Sequence, residues 1–138
     1  MRDILFRGKR EDNGEWVYGY YVKLPDAAGS VCFMHVPAGN PDECNTAHYV
    51  ALETVGQYTG LTDKNGNKIF EGDIVRWKEC DRWAPDDGIV SGYVLYADGQ
   101  WFIQRPNIRS YLWLEHSLCE IIGNIHDNPE LMGGESDA

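Results

Sequence analysis

The chain has 138 residues, of which 43% are hydrophobic, and its formal net charge at pH 7 is −10. This length fits one domain or two small lobes that share a core, and the composition supports a packed core, which excludes wholesale disorder. Nonspecific nucleic-acid binding draws on Lys and Arg to neutralise phosphates, so the acidic balance disfavours a nucleic-acid partner.

The cysteine pattern and the lengths of the apolar runs indicate the cellular compartment of the protein. The four cysteines, Cys32, Cys44, Cys80 and Cys119, form no Cys-x-x-Cys pair. The N-terminus lacks the apolar segment of a secretory signal, and no apolar run approaches the roughly 18 residues of a membrane span. We therefore expect a cytoplasmic protein with reduced thiols and no membrane contact.

Alternating apolar residues predict strands in the first part of the chain, over residues 3–7 and 15–24, with Asn13-Gly14 as the hairpin turn between them. We interpret the row on one face of the second strand as core or sheet packing. This row, the N-terminal aromatic row, consists of Trp16, Tyr18, Tyr20, Val22 and Leu24. Further strands are expected over 31–36 and 48–55, with an irregular loop over 37–47.

The second part of the chain is also rich in turn and strand signals. Asn65-Gly66 predicts a tight turn, a strand is expected over 74–77, and Asp98-Gly99 predicts a hairpin between strands 89–97 and 101–103. A last strand is expected over 118–126, with a helical turn at 117–120 as the alternative. Asn128 as N-cap and Pro129 as first residue predict a short helix, followed by a disordered acidic tail over 133–138.

Many short strands joined by glycine-rich turns predict an all-β fold, a small barrel or sandwich with one short C-terminal helix. The segment 72–103 is similar in pattern to an SH3-like barrel. We expect one domain over 1–132, with an N-terminal β lobe at about 1–55 and an SH3-like C-terminal lobe at about 56–132.

Three stretches resemble the YopX family of phage and prophage proteins. They are residues 1–7 followed by Trp16-Val17-Tyr18-Gly19, the block 56–75, and the ending 120–131. Their order and spacing agree with the family over nearly the whole chain, and the central block is specific. The resemblance implies a β-rich fold and a phage or prophage origin, and it supplies no catalytic residues.

Two patterns in the sequence contain residue types that ligate metal ions, one for calcium and one for zinc. Asp63-Lys64-Asn65-Gly66-Asn67 begins like a calcium loop, but Lys68 and Ile74 occupy positions where that loop needs Gly and Glu, which favours a β-turn. Tetrahedral zinc needs four converging ligands, and the chain offers one candidate set: Cys32, His35, Cys44 and His48. Because Cys32 and His35 are three apart in a predicted strand, they should point to opposite faces, so we expect no metal or other cofactor.

The sequence contains no recognisable catalytic motif. Glu71 and Asp73 form a carboxylate pair, but their place at a turn favours solvated turn residues over acid–base chemistry. No nucleophile elbow, phosphate loop or dinucleotide fingerprint is present.

The acidic segment around Trp83 is the best candidate for a partner contact. Asp81, Asp86 and Asp87 surround this residue, and Trp is enriched at the energetic centres of protein interfaces. The alternative is a solvated charged face. We expect a non-enzymatic accessory module that binds an unknown host or phage protein, with homo-oligomerisation favoured by strand edges and aromatics. A nucleic-acid-binding β-barrel and a small metal-dependent enzyme are the alternatives.

Overall fold

The computed structural model describes residues 5–26, 29–37 and 44–134. The chain divides into two compact units, Met1–Tyr58 and Thr59–Ala138. Residues 38–43 of the predicted loop and 135–138 of the predicted tail lie outside the described residues, while Gly133 and Gly134 belong to the last helical segment.

The first unit is built from short antiparallel strands and one 3₁₀ turn. Its elements are β1 (Phe6–Lys9), β2 (Trp16–Asp26), β3 (Gly29–Val36), β4 (Thr46–Tyr49), η1 (Leu52–Thr54) and the start of β5 (Gly56–Thr62). The strand order is β4-β3-β2-β1-β5, with β6 of the second unit next to β5. The predicted hairpin of β1 and β2 is confirmed, and an isolated bridge joins Arg10 to Val50.

The core of the first unit lies on the face of β2 opposite the N-terminal aromatic row. Met34 and Val50 are buried, and Val17 and Tyr21 pack against them. Tyr18 and Tyr20 of the row are 46% and 53% exposed, so these two residues are not part of the core. The alternative interpretation, packing on the surface of the sheet, is compatible with the half-buried Trp16 and Val22. Both faces of β2 carry large apolar side chains, so alternation alone did not show which face turns inward.

The second unit contains a five-stranded antiparallel sheet in the order β10-β9-β8-β7-β11. Its elements are the rest of β5, β6 (Lys68–Phe70), β7 (Asp73–Lys78), β8 (Ile89–Ala97), β9 (Gln100–Gln104), β10 (Arg109–Tyr111), α1 (Leu112–Glu115), η2 (His116–Leu118), β11 (Glu120–Asn124) and η3 (Pro129–Gly134). The predicted hairpin turn is confirmed, with φ of 51° at Asp98 and 79° at Gly99. Inward residues of β7, β8 and β9, including Val75, Val94 and Ile103, form the core with Leu112.

Three local predictions need correction. The strand expected over 48–55 ends at Tyr49, and Leu52–Thr54 forms a 3₁₀ turn. The helical turn near 117–120 is present as η2, so the last strand starts at Glu120. The C-terminal helix begins at Pro129 but is 3₁₀, and the Asn128 side chain accepts a hydrogen bond from the Asn124 backbone N–H at 3.2 Å.

The all-β prediction is confirmed: both sheets are antiparallel, and the helical segments are short. Apart from the Arg10–Val50 bridge, the pairing of the described strands closes neither sheet into a barrel.

Candidate functional site

The acidic loop, residues 79–88, connects β7 to β8 in the second unit. Backbone hydrogen bonds give it a defined shape: the Glu79 N–H donates to the Gly88 carbonyl at 2.8 Å, and the Ala84 N–H donates to the Asp81 carbonyl at 3.1 Å. The Trp83 N–H donates to Asp81 Oδ1 at 3.0 Å. The backbone of the loop and the Asp81 carboxylate are therefore held in place by hydrogen bonds within the loop.

An ion pair joins this loop to Arg105, the residue that directly follows β9. The Arg105 side chain is buried, and its Nη1 and Nη2 donate to the Asp81 oxygens at 2.8 Å and 3.1 Å. The Arg105 hydrogen bonds hold the pKa of the Asp81 carboxyl below its usual value. Arg105 also lies over the Trp77 ring, with Cζ 5.7 Å from the ring centroid. Asp81 thus has a structural role in the loop besides its predicted role in partner contact.

Trp83 is 45% exposed and borders a cleft of about 170 Å³. Polar and apolar groups contribute similarly to its lining, which consists of Trp83, Pro85, Ile89, Val90, Ser91, Arg105, Pro106, Asn107 and Ile108. We call it the Trp83 cleft. A cleft of this volume has room for one inserted side chain, with apolar contacts on Trp83 and Ile89 and polar groups on Ser91 and Asn107.

Asp86 and Asp87 are exposed on the same loop. Asp87 Oδ1 accepts a hydrogen bond from the Ile89 N–H at 2.9 Å. All four residues of the predicted partner site, Trp83, Asp81, Asp86 and Asp87, thus lie in the acidic loop. This loop places carboxylates beside a cleft of mixed polar and apolar lining.

The candidate zinc ligands occupy different environments in the first unit. Cys32 is buried in β3, where its sulfur lies 3.5 Å from the Tyr21 hydroxyl, whereas Cys44 is exposed before β4. His48 pairs with Met34, and His35 pairs with Tyr20. Across residues 5–26, 29–37 and 44–134, no group of three or more His, Cys, Asp or Glu could hold a metal ion.

The turn acids have structural partners. Asp63 Oδ1 accepts from the Asn65 and Asn67 N–H groups at 2.9 Å each, and Gly66 adopts φ of 84° in the predicted turn. Asp73 is buried, and its Oδ2 accepts from the Phe70 N–H at 2.8 Å. Much of the central block that resembles the family thus serves folding.

The four cysteines differ in their expected reactivity. Cys44 and Cys80 are exposed, while Cys32 and Cys119 are buried. Burial, together with the charges of Glu115 and Asp63, raises the pKa of Cys119 to about 12, which suppresses its reactive thiolate.

In an Ellman titration we expect the two exposed thiols, Cys44 and Cys80, to react quickly in the native protein and the two buried thiols only in denaturant. Fast reaction of Cys119 in the native protein, shown by Cys119→Ser, would contradict this arrangement.

Sequence reasoning missed an exposed group of apolar side chains after β9. Tyr111, Trp113, Leu114 and Leu118 are 44%, 58%, 54% and 58% exposed. The only signal was the short apolar segment 111–114, in which Leu112 is fully buried and its neighbours are not. Which of four consecutive apolar residues faces inward depends on packing that the sequence does not display.

The two units described above are those of a small all-β protein. The model of the YopX protein family matches residues 5–133, and the chain belongs to this family. The chain is similar to a solved structure, "Crystal structure of protein EF1440 from Enterococcus faecalis", with 27% identity and a TM-score of 0.55. The similarity covers 96% of this chain and 99% of that one.

A search of curated proteins gave no match. Among the residues that the structure describes, none of the helices has the length and apolar character needed to cross a membrane.

Proposed function

We propose that the chain is a non-enzymatic accessory module of a phage or prophage element. In this proposal it binds another protein through the acidic loop and the Trp83 cleft. The supporting observation is that an exposed Trp and exposed carboxylates occur together on a loop that is already ordered. Family membership supports the phage origin.

The chemistry of the site defines the partner. A side chain of aromatic or branched aliphatic type can pack against Trp83, Ile89 and the prolines of the Trp83 cleft, where desolvation favours binding. Lys or Arg next to it would meet Asp86 and Asp87, which steer the encounter and set its sensitivity to salt. The partner is therefore a basic segment with one apolar anchor.

Nucleic-acid binding through an aromatic face is less well supported. The exposed tyrosines of β2 offer stacking surfaces, but the chain carries a net charge of −10, which opposes phosphates.

Selection from a yeast-displayed library of random peptides tests the proposal. We expect enriched peptides to combine Lys or Arg with an aromatic or branched aliphatic residue. Trp83→Ala should weaken their binding by about tenfold or more, as truncation of an interface anchor does. Asp86→Asn with Asp87→Asn should weaken binding less and reduce its dependence on salt.

Trp113→Ala is the matched control, because it removes another exposed Trp of the same unit outside the cleft lining. The control should bind selected peptides as the wild type does. Failure to enrich any peptide, enrichment of acidic peptides, or unchanged binding by Trp83→Ala would each overturn the proposal.

A further inference from the structure

Four pairs in the sequence place Asn or Asp directly before Gly. They are Asn13-Gly14, Asn65-Gly66, Asp87-Gly88 and Asp98-Gly99. At such a pair the glycine nitrogen can attack the side-chain carbonyl carbon, because glycine has no side chain to hinder the approach. An amide loses neutral ammonia in this reaction, whereas a carboxylate, ionised at neutral pH, resists attack by a nucleophile. The two asparagine pairs are therefore the reactive candidates at neutral pH.

The Asn13 side chain is held in a geometry that favours this attack. The Glu15 N–H donates to Asn13 Oδ1 at 2.9 Å, and the ring that this hydrogen bond closes contains both Asn13 Cγ and the Gly14 nitrogen. The reacting atoms therefore stay near each other. A backbone N–H on Oδ1 also stabilises the negative charge that this oxygen gains during the attack. Within the part of the chain that the structure describes, Asn65 Oδ1 accepts no such hydrogen bond.

The turn between β1 and β2 is exposed over residues 11–15, so water and base reach it directly. It is anchored at its start, where the Glu11 N–H donates to the Tyr49 carbonyl at 3.1 Å. The Gly14 N–H donates to the Arg10 carbonyl at 3.0 Å, and this hydrogen bond within the turn must break before the nitrogen attacks. Such a local opening leaves the core of the first unit intact.

The turn that carries Asn65 is tied more firmly. The Asn65 N–H donates to Asp63 Oδ1 at 2.9 Å, and the Gly66 N–H donates to the Asp63 carbonyl at 3.0 Å. The Lys64 N–H donates to the carbonyl of Cys119, which is buried, at 2.9 Å. Rotation of the backbone that brings the Gly66 nitrogen to the Asn65 side chain would disturb several of these bonds at once. The fold thus protects one Asn-Gly pair and leaves the other reactive.

We propose that Asn13 is the site of a spontaneous covalent modification, deamidation to aspartate and iso-aspartate. The Gly14 nitrogen loses its proton to solvent base and bonds to Asn13 Cγ, the bond from Cγ to the amide nitrogen breaks, and ammonia leaves. Water then opens the cyclic imide. Opening at Cγ gives aspartate, and opening at the main-chain carbonyl gives iso-aspartate. The net reaction consumes water and releases ammonia, with no oxidant or cofactor.

The modification changes both the charge and the backbone of the β1–β2 turn. Each product adds one negative charge to a chain that carries −10. The iso-aspartate form also places the Cβ of residue 13 in the main chain, so the turn becomes one backbone atom longer.

Peptide mapping by mass spectrometry of the full chain, aged at mildly alkaline pH, tests this inference. We expect Asn13 to be converted about tenfold or more faster than Asn65 in the native protein, because the Asn65 turn must first open. In concentrated urea, where both turns are lost, the two pairs should be converted at similar rates. Asn13→Gln, whose longer side chain would have to close a larger and less favoured ring, should stop the reaction at this position. Asn65→Gln is the matched control and should leave the rate at Asn13 unchanged.

Circular dichroism and thermal melting establish that each variant is folded, which the exposure of both asparagines leads us to expect. Conversion of Asn65 in the native protein as fast as that of Asn13 would overturn the inference. It would also be overturned if Asn13 stayed unmodified in the native protein while both pairs were converted in urea. A preference for Asn13 that is equally large in urea would overturn it as well, because the preference would then come from neighbouring residues and not from the fold.

Discussion

Replacing Asp63 with Ala is expected to destabilise the protein by roughly 3 kcal/mol, because buried backbone donors would lose a charged acceptor. Asp63 is 5% exposed. Besides the N–H groups of its own turn, its Oδ2 accepts from the Ile121 N–H at 3.2 Å, so one carboxylate joins the β5–β6 turn to β11. Urea unfolding of the two proteins gives the difference in the free energy of unfolding.

Two variants separate this role from the mere loss of an acid. Asp63→Asn keeps the size of the side chain and one acceptor oxygen, so it should lower the free energy of unfolding less than Asp63→Ala does. Asp86→Asn removes an acid that is exposed, and it should stay within about 0.5 kcal/mol of the wild type. Equal losses for Asp63→Ala and Asp86→Asn would contradict the assigned role.

The same carboxylate gives a pH dependence of defined sign. Burial acts to raise the pKa of Asp63, but the hydrogen bonds from Asn67, Ile121 and Asn65 outweigh it, and the pKa lies below its usual value. Its stabilising effect is complete above the unfolded pKa of about 3.9 and is lost as pH falls through the lower folded pKa. The stability difference between wild type and Asp63→Asn should therefore shrink in strong acid. A difference that stays constant would refute the protonation argument.

Gly92→Ala is expected to lower the free energy of unfolding by about 3 kcal/mol or more, because the neighbouring strand leaves no room for a Cβ at this position. It would lie 2.8 Å from Ile103 Cγ2 and 2.9 Å from the Gln104 carbonyl carbon, and it would also collide with the Gln104 carbonyl oxygen. β8 lies between β7 and β9, and Gly92 pairs with Val75, so the strand cannot move aside cheaply.

Gly99→Ala is the matched control, since Gly99 has φ of 79° and nothing within 4 Å of an added Cβ. This substitution should lower the free energy of unfolding by about 1–2 kcal/mol, because Ala is disfavoured in the left-handed backbone conformation. Urea unfolding of both variants checks the order of the two losses. If Gly92→Ala costs no more than Gly99→Ala, the close approach of β8 and β9 is not as tight as described.

Local turn chemistry was readable from the sequence. Asp98, Gly99 and Gly66 adopt positive φ, which few residues tolerate, and both turns lie where predicted. Alternation alone did not identify the inward face of β2, because Val17 and Tyr21 opposite the N-terminal aromatic row are also apolar. The orientation of that strand follows from its pairing with β3, which is a tertiary property.

In the candidate site, too, the sequence revealed local features but not those that depend on tertiary contacts. The acidic loop and Trp83 were found from composition, since charged loops with an aromatic are visible in one segment. The Asp81–Arg105 pair was not, because its partners are 24 positions apart and meet only in the folded chain. The exposure of Tyr111 and Trp113 depends on which residues of their segment face outward, and only Leu112 between them is buried. The SH3-like comparison, the cytoplasmic location and homo-oligomerisation stay predictions.

Chemical-shift mapping on the ¹⁵N-labelled chain with a peptide from the library selection tests whether the acidic loop and the Trp83 cleft bind a basic partner segment. We expect the largest shifts on Trp83, Ile89 and Asn107, which line the cleft, with the Trp83 indole N–H among them. Shifts confined to the first unit, or to Tyr111 and Trp113, would contradict the proposed function.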